Sequence, residues 1–111
     1  MRILFDNGTP RQLRRRLPDH EVEEAREHGW DALSNGDLLD RAEEAGFEVL
    51  ITTDQNLRYQ QNLSNGRIAV VVLMNADWNR ISRRTAVVRE ALVGIQPGEV
   101  REVPILMRDE G

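Results

Sequence analysis

Short apolar runs alternate along the chain with segments in which apolar residues recur at helical spacing. Continuously apolar runs of this length are typical of strands that are buried on both faces of a parallel sheet. They predict strands at residues 2–6, 47–52, 68–73 and 100–103, and a weaker pattern predicts a further short strand at residues 20–25.

The segments between these strands have the signals of helices. Thr9 and Pro10 predict an N-cap and the first residue of a helix, and Ser34 and Gly46 bracket a second one. The predicted helices cover residues 11–17, 35–45, 55–63 and 78–95. Strands that alternate with helices indicate an α/β domain whose parallel sheet is covered on both faces.

Length and composition point to one domain. With 111 residues, two separate parts would each be too small to bury a stable core. No apolar run approaches the roughly 20 residues that span a bilayer. The first residues lack the basic start and the longer apolar region of a signal peptide, so the expected location is the cytoplasm. We therefore expect a single domain over residues 1–111, with residues 108–111 as a loose tail.

Two missing residue types exclude whole classes of chemistry. The chain has no Cys, which excludes disulfides, thiolate nucleophiles, zinc ribbons and iron–sulfur clusters. All 15 basic residues are Arg, so there is no lysine for a Walker phosphate loop or a Schiff base. The net charge is −4, so nucleic acid would have to bind at a local basic patch. The only two histidines, His20 and His28, fit a solvated pair better than a metal site.

Three aspartates lie where a parallel sheet places its ligands. Asp6 ends the first predicted strand, Asp54 follows the third, and Asp37 is in the first turn of the helix before that strand. Ligands of such folds bind outside the carboxyl ends of the strands. Carboxylates that converge there repel one another unless a cation neutralises them, and oxygen ligands without His or Cys favour Mg²⁺ or Mn²⁺. The sequence thus points to a divalent metal site.

Each of these residues also fits a purely structural role. Asp6 precedes an Asn-Gly turn, Asp37 can complete a capping box, and Asp54 can cap the helix that follows it. For Asp77, after the fourth strand, the N-cap of the long helix is the favoured role. The basic cluster at Arg11, Arg14, Arg15 and Arg16 fits phosphate contacts and a solvated amphipathic helix equally well.

Three segments together resemble a known family. They read Ile-Leu-Phe-Asp-Asn-Gly-Thr-Pro at residues 3–10, Leu-Ser-Asn-Gly-Asp-Leu-Leu at 33–39, and Leu-Ile-Thr-Thr-Asp-Gln-Asn-Leu at 50–57. In this order and spacing they resemble the small bacterial PIN-like domains, which are relatives of the PIN ribonucleases and of the VapC toxins. The resemblance spans nearly the whole chain.

The resemblance implies a fold and an activity. The fold is a Rossmann-like three-layer α/β/α sandwich with a mostly parallel sheet of about five strands. The activity is that of a metal-dependent endoribonuclease in which Asp6, Asp37 and Asp54 hold Mg²⁺ or Mn²⁺. By position in the motifs, the secondary site residues are Asn35, Asn56 and Thr53. Under the nuclease hypothesis, the candidates for contact with the RNA backbone are Arg11, Arg14 and Arg15 of the basic cluster.

The implied partners are an RNA substrate, a small antitoxin protein and a second copy of the chain, with no membrane. Asn35 and Asn56 stand where the family commonly has acids, and an amide coordinates a cation without contributing charge. A catalytically weakened member that binds RNA or protein is therefore the alternative. A phosphoacceptor receiver domain is disfavoured, because it normally needs paired acids at the first strand and a lysine after the last.

Overall fold

A computed structural model of the chain describes residues 1–57 and 67–105. Five strands in this part form one sheet, in which every neighbouring pair is parallel and the spatial order is β2-β1-β3-β4-β5. The strands are β1 (Arg2–Phe5), β2 (Glu21–Glu24), β3 (Val49–Thr52), β4 (Ala69–Leu73) and β5 (Val100–Val103). The predicted parallel α/β sheet of about five strands is confirmed, including the weak second strand.

Within residues 1–57 and 67–105, helical segments lie between or beside the strands. They are a first 3-10 helix (Arg11–Arg16), a second 3-10 helix (Ala25–His28), α1 (Asn35–Glu44), α2 (Trp78–Ile81) and α3 (Thr85–Leu92). In the described part of the chain no helix is long and apolar enough to cross a membrane. Most of the helix predicted over residues 55–63, and the tail predicted at 108–111, lie outside the described residues.

The predicted helix after Pro10 is a 3-10 helix, and the predicted cap is wrong. Pro10 occupies the N-cap position and no side chain caps this helix. The hydroxyl of Thr9 instead lies 2.7 Å from Asp6 Oδ1 and 2.9 Å from the carbonyl oxygen of Ile51. Thr9 therefore connects the turn after β1 to β3. This is a tertiary contact that the local sequence pattern does not predict.

The long helix predicted over residues 78–95 is divided into α2 and α3. Arg83 N donates to Arg80 O and Arg84 N donates to Ile81 O, so the backbone tightens into three-residue turns where α2 ends. The hydroxyl of Ser82 also donates to Asn79 O at 3.0 Å, a side-chain bond that competes with continued helix. The apolar spacing is preserved, because Ile81 and Val88 are both fully buried.

Successive residues of the strands alternate between two buried groups. The first group contains Ile3 and Phe5 of β1 together with side chains of the first 3-10 helix, α2 and α3. The second contains Leu4 of β1 and Leu50 of β3 together with side chains of α1. This alternation follows from the two-residue period of a strand. It assigns the side chains that follow Phe5 and Ile51 to the same side of the sheet as α1.

Candidate functional site

The carboxyl ends of β1 and β3 lie side by side at the point where the sheet changes direction. From β1 the chain moves outward to β2 and then returns to place β3 on the other side of β1. Asp6 N donates to Ile51 O at 3.2 Å, which extends the pairing of these two strands by one residue. Asp6 directly follows β1, and Asp54 comes two residues after β3. In open α/β sheets this switch point is where ligands bind.

Asp6 is buried among hydroxyl groups. Only 8% of the residue is exposed, and its two carboxylate oxygens have different partners. The hydroxyl of Thr52 donates to Oδ2, and Oδ1 lies 2.7 Å from Thr9 Oγ1. Burial raises the pKa of the Asp6 carboxyl above its ordinary value, while the hydrogen bonds from Thr52 and Thr9 act in the opposite direction.

The hydroxyl proton of Thr9 has two acceptors within reach, Asp6 Oδ1 at 2.7 Å and Ile51 O at 2.9 Å. A hydroxyl has one proton, so an ionised Asp6 and the Ile51 carbonyl must compete for it. When Asp6 carries a proton, Oδ1 can donate to Thr9 Oγ1 and Thr9 can donate to Ile51 O. Thr9 can therefore serve either state of Asp6, as a donor to the carboxylate or as an acceptor from the neutral acid, and burial is what raises the pKa of Asp6.

Asp54 is half-buried and is held by two asparagines. Asn35 Nδ2 donates to Asp54 Oδ2, and the backbone N–H of Asn56 donates to Oδ1 at 3.0 Å. Asn35 is the first residue of α1, whose predicted N-cap is confirmed because the Ser34 hydroxyl accepts the N–H of Asp37 at 3.3 Å. The start of α1 and the end of β3 therefore meet at the Asp54 carboxylate.

Thr52 joins the two acidic segments. Its side chain is fully buried; its hydroxyl donates to Asp6 Oδ2 and accepts the N–H of Asp54 at 3.0 Å. Sequence reasoning selected Thr53 and missed Thr52. The available signal was the two-residue period of the strand, which places Thr52 and Asp54 on one side and Thr53 on the other.

Thr53 is half-buried and contacts the turn after β1. A Cβ atom added at Gly8 would lie 2.5 Å from Thr53 Oγ1, so the backbone of this turn approaches the threonine as closely as a glycine allows. The φ angle of Gly8 is not positive, so the close approach, and not the backbone conformation, is what calls for glycine here.

The other predicted site residues lie around this centre. Asp37 is exposed in the first turn of α1, and its sharing of an ion with Asp6 and Asp54 stays a prediction. The side chain of Asn56 is also exposed. Asp77 accepts the N–H of Asn79 at 3.0 Å as the N-cap of α2, which confirms the role predicted for it.

The site has the oxygen chemistry of a magnesium or manganese site, with two buried or half-buried carboxylates. Within residues 1–57 and 67–105 no group of three or more His, Asp or Glu side chains is placed to hold a metal ion. The fit therefore depends on Asp6 and Asp54, with the amide oxygen of Asn35 as a neutral third ligand. Asn35 now presents its NH₂ group to Asp54, so its amide would have to rotate to present oxygen.

The predicted basic cluster lies apart from these acids. Arg11, Arg14 and Arg15 line a surface cleft of about 520 Å³, which also contains Arg16, Glu24 and Trp78. Arg14 Nη1 lies 2.9 Å from Glu27 and 3.5 Å from Glu24. The three predicted arginines are therefore together, and one of them is already held by two carboxylates.

Comparison of the chain with family models, with curated proteins and with solved structures found no match.

Proposed function

We propose that the chain is a PIN-like domain, with the Rossmann-like three-layer α/β/α arrangement of that family, that acts as a metal-dependent endoribonuclease. One observation supports this most. Asp6 and Asp54 follow neighbouring strands at the switch point of the sheet, and Thr52 connects their two segments. A pair of acids held together at this edge is what the resemblance to the PIN-like family calls for.

Asp6 and Asp54 would hold Mg²⁺ or Mn²⁺, with Asn35 supplying an amide oxygen and Asp37 completing the site from the first turn of α1. An ion bound there supplies a water of lowered pKa and charge compensation at a phosphodiester. Thr52 keeps the Asp6 carboxylate in one orientation, and burial excludes competing water from it. A small antitoxin protein and a second copy of the chain are the partners that we propose by the same resemblance.

A second candidate function is a module that binds RNA or protein without cleaving it. The observation in its favour is the hydrogen bond from Asn35 Nδ2 to Asp54 Oδ2. An amide N–H at a carboxylate satisfies the negative charge with a neutral group, so this acid is held without an ion. In this case the chain keeps the architecture of the site but not its metal.

Cleavage of RNA separates the two candidates. The protein is incubated with mixed-sequence RNA and Mn²⁺, and the Asp54→Asn variant is compared with Asp40→Asn, which removes the same charge from an exposed position of α1. The nuclease proposal expects cleavage that EDTA abolishes, that Asp40→Asn retains and that Asp54→Asn loses. Equal cleavage by both variants would identify a contaminating nuclease and contradict the proposal.

Thermal unfolding tests the metal site without knowledge of the RNA target. A cation at about a hundred times its Kd stabilises a folded protein by about 2.7 kcal/mol, which raises the Tm of a domain of this size by about 10 °C. We expect Mn²⁺ to produce such a shift in the wild type and Asp54→Asn to lose most of it.

The matched control is Asp77→Asn. Asp77 accepts the N–H of the second residue after it at 3.0 Å, as Asp54 does, and Asn preserves such a bond almost as well as Asp. Asp77→Asn should therefore keep the manganese shift. If Mn²⁺ does not raise the Tm of the wild type, the nuclease proposal is contradicted and only the binding-module proposal remains.

A further inference from the structure

The cleft between the first 3-10 helix and α2 has an unusual concentration of charge for an acidic protein. The chain as a whole carries a net charge of −4, yet four arginines and one glutamate line this cleft. Its lining includes Arg11, Arg14, Arg15, Arg16, Glu24 and Trp78. A volume of about 520 Å³ lies within the range of small-ligand sites.

Two of these arginines are available to a ligand. Arg14 is paired with Glu24 and Glu27. Arg11 and Arg15 are exposed and have no ion pair or hydrogen bond to another side chain among the residues that the structure describes. Guanidinium groups of this kind bind phosphate through two parallel N–H donors. The cleft therefore has two unpaired guanidinium groups, those of Arg11 and Arg15, beside that of Arg14, which is paired with carboxylates.

Trp78 adds an aromatic surface to the cleft. It is half-buried at the start of α2, and the guanidinium of Arg16 lies over its ring at 5.7 Å from the centroid. A side chain of the cleft thus already occupies the face of the indole, which shows that this face can be reached from the cleft. Flat cations and nucleobases stack on such rings in the same way.

The cleft and the acidic site lie on opposite sides of the sheet. Leu13 of the first 3-10 helix and Ile81 of α2 belong to the first buried group, whereas Asp6 and Thr52 are on the side of α1. Both sites are nevertheless near the carboxyl ends of the strands, because Glu24 ends β2 and Arg11 comes five residues after Asp6.

We propose that this cleft is a binding site for single-stranded nucleic acid, in which a base stacks on Trp78 and phosphates bind Arg11 and Arg15. The site is separate from the proposed catalytic acids and would hold the strand on one side of the sheet edge while the acids act on the other. The choice of RNA as its natural ligand rests on the proposed function, and binding itself does not.

A nucleic acid fits this cleft better than an acidic peptide for two reasons. An acidic peptide would use the arginines but has no flat base to place on the indole. Within the cleft, the guanidinium of Arg14 is already paired with carboxylates, so the unpaired guanidinium groups are those of Arg11 and Arg15. A base that stacks on Trp78 would take the place of the Arg16 guanidinium over the ring. This is the combination of phosphate contacts and stacking by which single strands are bound.

The test is binding of a labelled mixed-sequence single-stranded RNA of about twelve nucleotides, measured by fluorescence anisotropy in EDTA with the Asp54→Asn protein. Arg15→Gln should weaken binding and reduce the magnitude of the slope of log K against log salt by about 0.7, the value for one phosphate contact on a single strand. Arg41→Gln, on α1, changes the net charge equally and should leave the slope unchanged.

Stacking is tested at Trp78. We expect Trp78→Leu to weaken binding by about tenfold, and Trp78→Phe to retain most of it because a ring remains. Since Trp78 also packs against the first buried group, the melting temperature of each variant is measured alongside. A folded Trp78→Leu variant that binds as tightly as the wild type would overturn the proposal.

Two further ligands distinguish the possible sources of binding. The same RNA annealed into a duplex should bind more weakly, because its bases are not free to stack. A glutamate-rich peptide of similar length should compete poorly, and strong competition by it would overturn the proposal in favour of an acidic protein partner.

The outcome is independent of catalysis. If RNA binds in EDTA and the wild type cleaves no RNA, the nuclease proposal is refuted and the proposal of RNA binding at the cleft is kept. If Arg15→Gln and Trp78→Leu cleave and bind RNA as the wild type does, the proposal of RNA binding at the cleft is refuted and the nuclease proposal is unaffected.

Discussion

Replacement of Thr52 by valine tests how the two strand ends are held together. The threonine is fully buried, and its hydroxyl makes two hydrogen bonds, one to the Asp6 carboxylate and one from the backbone N–H of Asp54. Valine has the same branched shape without the hydroxyl. Thr52→Val therefore removes both bonds without opening a cavity.

The expected loss of stability follows from these contacts. A hydrogen bond to a charged group contributes about 1.5–3 kcal/mol and a neutral one about 1 kcal/mol. The additional buried methyl group of valine recovers roughly 1 kcal/mol. The net loss is roughly 2 kcal/mol, which for 111 residues corresponds to a Tm lower by about 8 °C.

The assay is thermal unfolding in EDTA, with Thr53→Ala as the control. Thr53 makes no hydrogen bond through its side chain to any residue in the described ranges, and alanine removes its hydroxyl without crowding Gly8, so this change should shift the Tm by about 2 °C or less. The hydrogen bond from Thr52 lowers the pKa of Asp6. An NMR titration should therefore find that this pKa rises further in Thr52→Val.

Two outcomes would refute the reasoning. Equal melting temperatures for Thr52→Val and Thr53→Ala would show that the Thr52 hydroxyl contributes nothing to stability. An unchanged pKa for Asp6 would show that this hydroxyl is not bonded to the carboxylate in solution.

Two further predictions concern the turn after β1. Burial raises the pKa of Asp6 in the folded state, so its contribution to stability is complete below the unfolded pKa and is lost as the pH rises through the folded pKa. In melting curves from about pH 7 to about pH 4, the wild type should gain stability relative to Asp6→Asn; a difference that is constant or reversed would contradict this. Gly8→Ala should cost about 1 kcal/mol, because the new Cβ meets Thr53 Oγ1. The cost should largely disappear in the double variant with Thr53→Ala, and additive effects in this double-mutant cycle would contradict the close contact.

The fold was predictable where local pattern and tertiary environment agree. The continuously apolar strands β3 and β4 are buried along their whole length. Their burial on both faces explains both the apolar sequence pattern and the strand structure. The prediction failed at Thr9, whose hydroxyl is drawn away from the helix by Asp6 and Ile51. The hydrogen-bond partners of this hydroxyl are 3 and 42 positions away in the sequence. Local helix propensity therefore does not predict them.

The candidate site was predictable in its location more than in its contacts. The rule that ligands bind at the carboxyl ends of parallel strands located Asp6 and Asp54, and the structure places both at the switch point. The rule did not reveal that Asn35 donates to Asp54. It also did not distinguish Thr52 from Thr53, because two adjacent threonines look alike until the strand assigns their side chains to opposite sides.

The order of the strands has a consequence for self-association. β2 and β5 are the two edges of the sheet, and β2 reads Glu-Val-Glu-Glu. If two copies extended their sheets through this edge, glutamates of one copy would lie beside glutamates of the other, and like charges in such positions destabilise strand pairing. A dimer that continues the sheet would therefore form along β5, where Arg101 and Glu102 carry opposite charges and lie between two valines.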